Sequence, residues 1–275
     1  MAAKRVTVGF DRKIRLPWLD ATADWAGEGL SLPEIRSRLE SALAGEVAGE
    51  GTHSARGKTI TVLLRIWVRV PQRLMPLRND GLLLMHKRSG RGRLPLHWGM
   101  SLATYPFLRD VAGATGRLLS LQGTVATPQI TRRIWESWGE RSTVTRAVQR
   151  VLRSFVLWGV LKETKERGVF AAVPKMLISG GSAIGPWLLE AGIATYERQM
   201  WPFRAAINAP FLFPFAMEMS HRDLERNPRL EIHNDGSGEH LVTCRSTEAT
   251  FRPAHATSSG RARTMLEAGS TAEDG

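Results

Sequence analysis

Four polar side chains recur at intervals of three and four residues in the segment STVTRAVQRVLRSF, which spans residues 142–155. They are Arg146, Gln149, Arg150 and Arg153. In an α-helix this spacing places all four on one face and the intervening apolar residues on the opposite face. Those apolar residues are Ala147, Val148, Val151, Leu152 and Phe155. The segment therefore predicts an amphipathic helix with a basic outer face.

The basic face carries charge of one sign, because no Asp or Glu lies between Arg141 and Leu161. A solvated helix face usually mixes acidic and basic residues that pair at i,i+4. We therefore expect these guanidinium groups to be available to a polyanion. Replacing all three arginines of the face by Ala is expected to leave stability nearly unchanged.

The chemistry of such a face suits a nucleic acid groove. Arg pairs bidentately with guanine and Gln with adenine, each worth about 1–3 kcal/mol of discrimination. Side chains in the N-terminal half of a groove-binding helix reach base edges, and those further along meet phosphates. We assign Thr143, Arg146 and Gln149 to base contacts. Arg150 and Arg153 are assigned to phosphates or groove edges.

The composition agrees with a polyanionic partner. The 275 residues include 38 Lys and Arg against 26 Asp and Glu, a formal net charge of +12. Between residues 117 and 170, ten Lys and Arg face four Glu, a balance of 10 − 4 = +6. An arginine-rich composition or an acidic protein partner would also account for this charge, so both alternatives stay open.

The neighbouring sequence predicts the elements that would hold the helix in place. Thr127 is the expected N-cap of a first helix, with Pro128 in its first turn. The segment GERS makes a turn, Ser142 or Thr143 caps a second helix to about Trp158, and Gly159 ends it. The runs VLKE and VFAAV flank a charged loop and predict a β-hairpin.

This order of helix, turn, helix and hairpin over residues 127–173 resembles the winged helix-turn-helix family of DNA-binding domains. The phrase TRAVQRVLRSFVLWGVL, a basic helix that ends in an apolar turn and a strand, carries the likeness. The resemblance implies that the second helix enters the major groove and that the hairpin touches the DNA backbone. It adds five cationic residues to the expected DNA contacts: Arg132, Arg133, Arg141, Lys165 and Arg167.

A second basic stretch is KRSGRGRLP, residues 87–95, with Lys87, Arg88, Arg91 and Arg93. Its Arg-Gly-Arg core resembles the AT-hook, which lies along a narrow minor groove. The prolines that flank that motif are missing or displaced here. A charged surface loop is therefore the preferred interpretation of this secondary basic loop.

The whole chain is predicted to be mainly α-helical, with a central winged helix and short β-hairpins. We expect an N-terminal helical domain over residues 1–122, the winged helix over 123–173, a helical segment with a hairpin over 174–245, and a disordered tail over 246–275. Predicted helices include 32–44, with a capping box, 58–70, where a buried strand competes, and 97–121, which Pro106 kinks or splits. A hairpin near 229–244 would bring His233 and His240 close together.

Other functions have weaker support in the sequence. Cys244 is the single cysteine, so no disulfide or cysteine-based zinc site can form within the chain. The most apolar stretch, residues 201–217, is broken by Arg and Pro and is too short to span a membrane. No catalytic motif, metal site or cofactor site is predicted, and the protein is expected to be cytoplasmic.

The sequence thus predicts a double-stranded DNA-binding protein that is not an enzyme. It would act as a regulator or as the DNA-contacting subunit of a larger bacterial-type complex, with other protein subunits as further partners. The alternative is a helical adaptor whose basic face docks an acidic protein. A steep salt dependence of binding would favour DNA.

Overall fold

The computed structural model describes residues 8–196, 199–234, 236 and 238–245, and the predicted tail lies outside these residues. The fold is mainly α-helical with three small sheets in the described part, as the sequence predicts. Residues up to Arg245 form one compact unit around a continuous hydrophobic core. The domain boundaries after 122 and 173 stay predictions.

The N-terminal half consists of helices that follow a segment without regular secondary structure, residues 8–15, called the strap below. Its helices are α1 (Leu16–Gly27), α2 (Leu32–Leu43), α3 (Ala55–Trp67), α4 (Met75–His86), α5 (Leu94–Thr104) and α6 (Pro106–Gln122). Short 3-10 helices cover Gln72–Leu74 and Gly90–Arg93.

Local capping chemistry sets the helix starts. The capping box of α2 forms as predicted, with the Ser31 N–H and hydroxyl donating to the carboxylate of Glu34. The segment predicted as 58–70 is a helix and not a strand, but it begins at Ala55 because the Ser54 hydroxyl accepts from the Gly57 N–H at 3.0 Å. Pro106 splits the predicted helix 97–121 into α5 and α6.

The central part consists of one strand, two helices and two further strands. It comprises β1 (Thr124–Ala126), α7 (Thr127–Trp138), α8 (Ser142–Leu157), β2 (Leu161–Glu163) and β3 (Val169–Ala172). The strands form an antiparallel sheet in the order β1-β3-β2, with Val125 opposite Phe170 and Lys162 opposite Ala171. The hairpin of β2 and β3 is as predicted, and β1 adds a third strand that the sequence analysis missed.

The C-terminal part contains β4 (Met176–Ser179), α9 (Ile184–Ile193), β5 (Trp201–Pro202), α10 (Phe203–Ile207), β6 (Phe215–Glu218), β7 (Leu230–Asn234) and β8 (His240–Cys244). Further 3-10 helices cover Pro210–Leu212 and His221–Arg226. Strands β4 and β6 are parallel, and β8 pairs antiparallel with β5 and β7. The hairpin predicted near 229–244 is therefore present.

The centre of the fold is formed by α5 and α9, in which every residue is buried. A helix that is apolar all round belongs in an interior. The two helices meet where Gly99 lies against Trp187, and a Cβ atom at Gly99 would stand 2.5 Å from the indole ring. Among the described residues, no helix combines the length and apolar composition that crossing a membrane requires.

Candidate nucleic-acid interface

The helix α8 has the two faces that its sequence predicts. Val148, Val151, Leu152 and Phe155 are fully buried, whereas the side chains of the opposite face point outward. The N-cap is Arg141 and neither of the predicted residues, Ser142 or Thr143. The backbone of Arg141 is extended, and its carbonyl accepts the first helical bond from Thr145. The helix ends at Leu157, and Gly159 then takes a φ of +67°, which favours glycine.

The N-terminal half of α8 presents the residues assigned to base contacts. Thr143, Arg146 and Gln149 are all exposed. The Nε of Arg146 donates to the carbonyl of Ser142, 3.3 Å away, and within the described ranges no carboxylate pairs with its guanidinium. This half of the helix therefore offers donors and acceptors to a partner without first breaking an ion pair.

Arg150 is not free, contrary to the expectation from the sequence. Its Nη1 donates to the backbone carbonyl of Asp11 at 2.6 Å and lies 3.6 Å from the Asp11 carboxylate. Asp11 belongs to the strap, which also bonds α8 through the Ile14 N–H to Ser154 Oγ, at 2.9 Å. The helix periodicity could not reveal this partner, because it lies 139 residues away in the chain. Arg150 therefore holds the strap against α8.

Arg153 is also paired, with the carboxylate of Glu163 on β2. Both side chains are about half exposed, so the pair contributes little to stability. The absence of acidic residues within α8 thus did not leave the whole face unpaired. The following strand and the strap supply carboxylates to its C-terminal half, whereas no carboxylate of the described residues pairs with its N-terminal half.

The remaining cations predicted in this region lie on α7, on the turn and on the hairpin. Arg132 and Arg133 on α7 are exposed, as are Lys165 and Arg167 between β2 and β3, and the described residues give none of the four an ion pair. Arg141 is exposed and donates through Nη2 to the carbonyl of Trp138 at 2.9 Å. Lys162 on β2 is a further exposed cation that the sequence assignment omitted, although its alternation with buried Leu161 indicates it.

The hairpin loop is fixed to the start of α7. The carbonyl of Gly168 accepts from the N–H and the hydroxyl of Thr127, at 2.9 and 3.1 Å. The expected N-cap of α7 is therefore shifted to Ala126, whose N–H donates to the Gln129 side chain at 2.9 Å. Two-stranded hairpins are only marginally stable alone. The third strand, β1, and the hydrogen bonds between Thr127 and Gly168 therefore hold the cations of the loop in place.

A tertiary hydrogen bond that the sequence did not indicate connects the end of α7 to α6. The indole N–H of Trp138 donates to Asp110 on α6 at 2.9 Å, and the Trp138 ring packs edge-on against Phe107 at 5.0 Å between centroids. The turn that leads into α8 therefore rests on α6.

The secondary basic loop is folded and mostly occupied by internal contacts. Arg93 pairs with Asp24 at 2.9 Å and Asp20 at 3.4 Å, and hydrogen bonding to Asp24 keeps its pKa above the ordinary value. Arg88 donates to the Leu84 carbonyl, and Arg91 reaches the Gly159 carbonyl at the end of α8, at 3.3 Å. Lys87 is exposed. The second arginine of the Arg-Gly-Arg core is thus partly buried in ion pairs within a 3-10 helix, which does not suit an AT-hook lying along a minor groove.

The histidine-rich hairpin offers no metal centre. His233 is opposite Leu241 and His240 is opposite Asn234, so the two histidines are not paired across the strands. His240 instead stacks on His221, with ring centroids 3.7 Å apart. Within the described ranges, no three His, Cys, Asp or Glu side chains are grouped so that they could hold a metal ion.

No family model, no curated protein and no solved structure shows a significant match to this chain. Functional conclusions therefore rest on the residues and their geometry.

Proposed function

We propose that residues 106–173 form a winged helix-turn-helix that binds double-stranded DNA through the N-terminal half of α8. The support is an order of elements, α6-β1-α7-α8-β2-β3, in which a short turn joins α7 and α8 and a three-stranded sheet carries the loop between β2 and β3. The protein would act as a regulator or as the DNA-contacting subunit of a larger assembly.

One observation carries this proposal. Thr143, Arg146 and Gln149 lie exposed on successive turns of α8, without an acidic partner among the described residues. Side chains near the start of a recognition helix are those that reach base edges in the major groove. Arg132, Arg133, Lys162, Lys165 and Arg167 surround this helix in the chain and would meet phosphates.

The direct test is a gel shift and a fluorescence anisotropy titration of the full chain with random duplex DNA. Arg146→Ala should weaken binding, whereas Arg69→Ala, a change at an exposed arginine outside residues 106–173, should not. If about five phosphates are neutralised, the log–log slope of affinity against salt should be roughly −4 to −5. Binding that is unchanged in Arg146→Ala would refute the assignment.

Competitors then define the nucleic acid. Duplex DNA should displace the labelled duplex better than single-stranded DNA or RNA of the same length, because the deep and narrow major groove of A-form RNA does not admit a helix. Stronger competition by RNA or by single strands would contradict the proposal.

A second candidate function has one observation in its favour. The C-terminal half of α8 already binds the carboxylates of Asp11 and Glu163, which shows that this face is chemically suited to acidic side chains. A protein adaptor that docks an acidic partner would use the same surface. A flat salt response with DNA, together with saturable binding of an acidic polypeptide such as poly-glutamate, would favour it.

A further inference from the structure

A cavity of about 230 Å³ lies away from the candidate DNA interface, among α4, the start of α9 and the turn that follows the 3-10 helix His221–Arg226. Its apolar wall includes Leu83, Leu84 and Trp187, and its charged residues include Asp80 and Arg226. A preformed apolar pocket with a few convergent polar groups is typical of a small-molecule site.

A partly buried ionic network connects the walls of this cavity. Arg229 donates through Nε and Nη2 to the two carboxylate oxygens of Glu190, at 2.7 and 2.9 Å, and through Nη2 to Asp80 at 2.7 Å. Asn227 donates to the same Glu190 at 2.6 Å. Burial alone would lower the pKa of Arg229, but the bonds to Glu190 and Asp80 raise it, so this guanidinium stays charged. The network joins α4 to α9 and to the turn.

Trp187 and Leu83 give the cavity an apolar surface. The indole N–H of Trp187 is already bonded to the carbonyl of Leu77 at 2.8 Å, so the ring offers the cavity only carbon atoms. Leu83 is 65 % exposed, one of the most exposed large apolar side chains in the described residues. An apolar ligand group packed against Leu83 would remove the exposed part of this side chain from water, whereas Trp187 is already only 3 % exposed.

The charged residues of the cavity have hydrogen-bonding groups, both anionic and cationic, that are not used within the part of the chain that the structure describes. Asp80 uses Oδ2 for Arg229, and its Oδ1 has no hydrogen-bond partner within the described ranges. Arg226 donates through Nη1 to the Gly180 carbonyl at 3.2 Å and lies 4.0 Å from Asp223, with its side chain half exposed. A carboxylate oxygen and guanidinium N–H groups are therefore both available to a ligand.

We propose that this cavity binds a free amino acid with an apolar side chain, of the class of leucine, methionine or phenylalanine. The ammonium would bind Asp80, the carboxylate would bind Arg226, and the side chain would lie against Trp187 and Leu83. A ligand with one positive and one negative group complements the carboxylate of Asp80 and the guanidinium of Arg226. The volume lies below the ~300 Å³ lower end of pockets for drug-sized molecules, which favours a ligand of amino-acid size over nucleotides and larger cofactors. This inference does not rest on DNA binding.

The test is calorimetric titration of the full chain, without DNA, with leucine, with isoamylamine and with isocaproic acid. The amine lacks the carboxylate, and the acid lacks the ammonium. Leucine should bind saturably at millimolar concentration or below, and each analogue should bind about tenfold more weakly, the equivalent of about 1.4 kcal/mol. Absence of saturable binding by leucine, methionine and phenylalanine would overturn the proposal.

Single variants test which residue contacts each charged group of the ligand. The quantity compared is the preference for leucine over each analogue, and not only the loss of binding. In Asp80→Asn the preference for leucine over isocaproic acid should disappear, whereas the preference over isoamylamine should stay. Arg226→Gln should show the reverse pattern. The matched controls Glu28→Gln and Arg222→Gln change exposed charges outside the cavity and should retain both preferences.

An apolar-wall variant completes the test. Leu83→Ser should weaken leucine binding and leave the thermal unfolding temperature close to that of the parent, because this side chain is mostly exposed. Leucine binding that is unchanged in Leu83→Ser, or charge preferences that persist in both charge variants, would place the ligand elsewhere and refute the site.

Discussion

The indole Nε1 of Trp67 donates a hydrogen bond to Nδ1 of His97, 3.1 Å away in the core. An indole nitrogen can only donate, so Nδ1 is the acceptor and the proton of His97 is on Nε2. That Nε2 donates to Asp20 Oδ1 at 2.9 Å. The neutral imidazole is thus fixed in one tautomer between α3 and α1.

We predict that stability falls as the pH drops below about 6.5, the ordinary pKa of histidine. Burial lowers the pKa of His97 in the fold, despite the opposing effect of Asp20. Between the two pKa values the unfolded state binds more protons than the native state, so the free energy of unfolding decreases with falling pH. Urea unfolding followed by tryptophan fluorescence between pH 8 and pH 5 measures this.

The matched variant for the pH experiment is His97→Leu, which does not titrate and leaves the Trp67 N–H without an acceptor. It should be less stable at pH 8 by about 1–3 kcal/mol, the cost of a buried unsatisfied donor. Its stability should also depend less on pH between 8 and 5. Parallel pH curves for parent and variant would disprove the role of His97.

Arg150 and Arg146 should differ in their effect on stability, although the sequence pattern treats them alike. Arg150→Ala should lower the free energy of unfolding by about 1 kcal/mol, since a charged donor to the Asp11 carbonyl is lost from a side chain that is 39 % exposed. Arg146→Ala should change it by no more than about 0.5 kcal/mol. Equal losses in urea titrations of the two variants would contradict the anchoring of the strap.

Glu163→Gln should strengthen DNA binding if the proposed function is correct. The change releases Arg153 from its ion pair and makes one more cation available to a phosphate. The log–log slope of affinity against salt should become steeper by about 0.9, the value for one added phosphate contact. Glu136→Gln, at an exposed position on α7, controls for the lost negative charge, and an identical slope in the two variants would argue against a release of Arg153.

Two glycines of α6 should respond oppositely to alanine. At Gly116 a Cβ atom would stand 2.0 Å from the Pro210 carbonyl oxygen, so Gly116→Ala must displace the backbone and should cost about 1–3 kcal/mol or more. Gly113 has nothing within 4 Å of its Cβ position, so Gly113→Ala should gain about 0.5–1 kcal/mol from reduced backbone entropy. Thermal unfolding of both variants checks the packing of α6 on the Pro210–Leu212 helix.

The elements near the candidate interface were predictable because their signals are local. The periodicity of residues 142–155 identified the buried face of α8, and the glycine and charged loop after it identified the hairpin. The capping box at Ser31 and Glu34 likewise depends on residues three apart. The strand β1 and the parallel pair β4–β6 were missed, since their partners are separated by tens of residues.

By itself the sequence determined which face of α8 is apolar, because the helical repeat fixes the direction of each side chain from its position alone. Only the tertiary structure decided which arginines on the other face are free. Asp11 reaches Arg150 from the N-terminal strap, and Glu163 reaches Arg153 from the next strand. Ion pairs form between side chains that folding brings within about 4 Å, and sequence distance sets no limit on that.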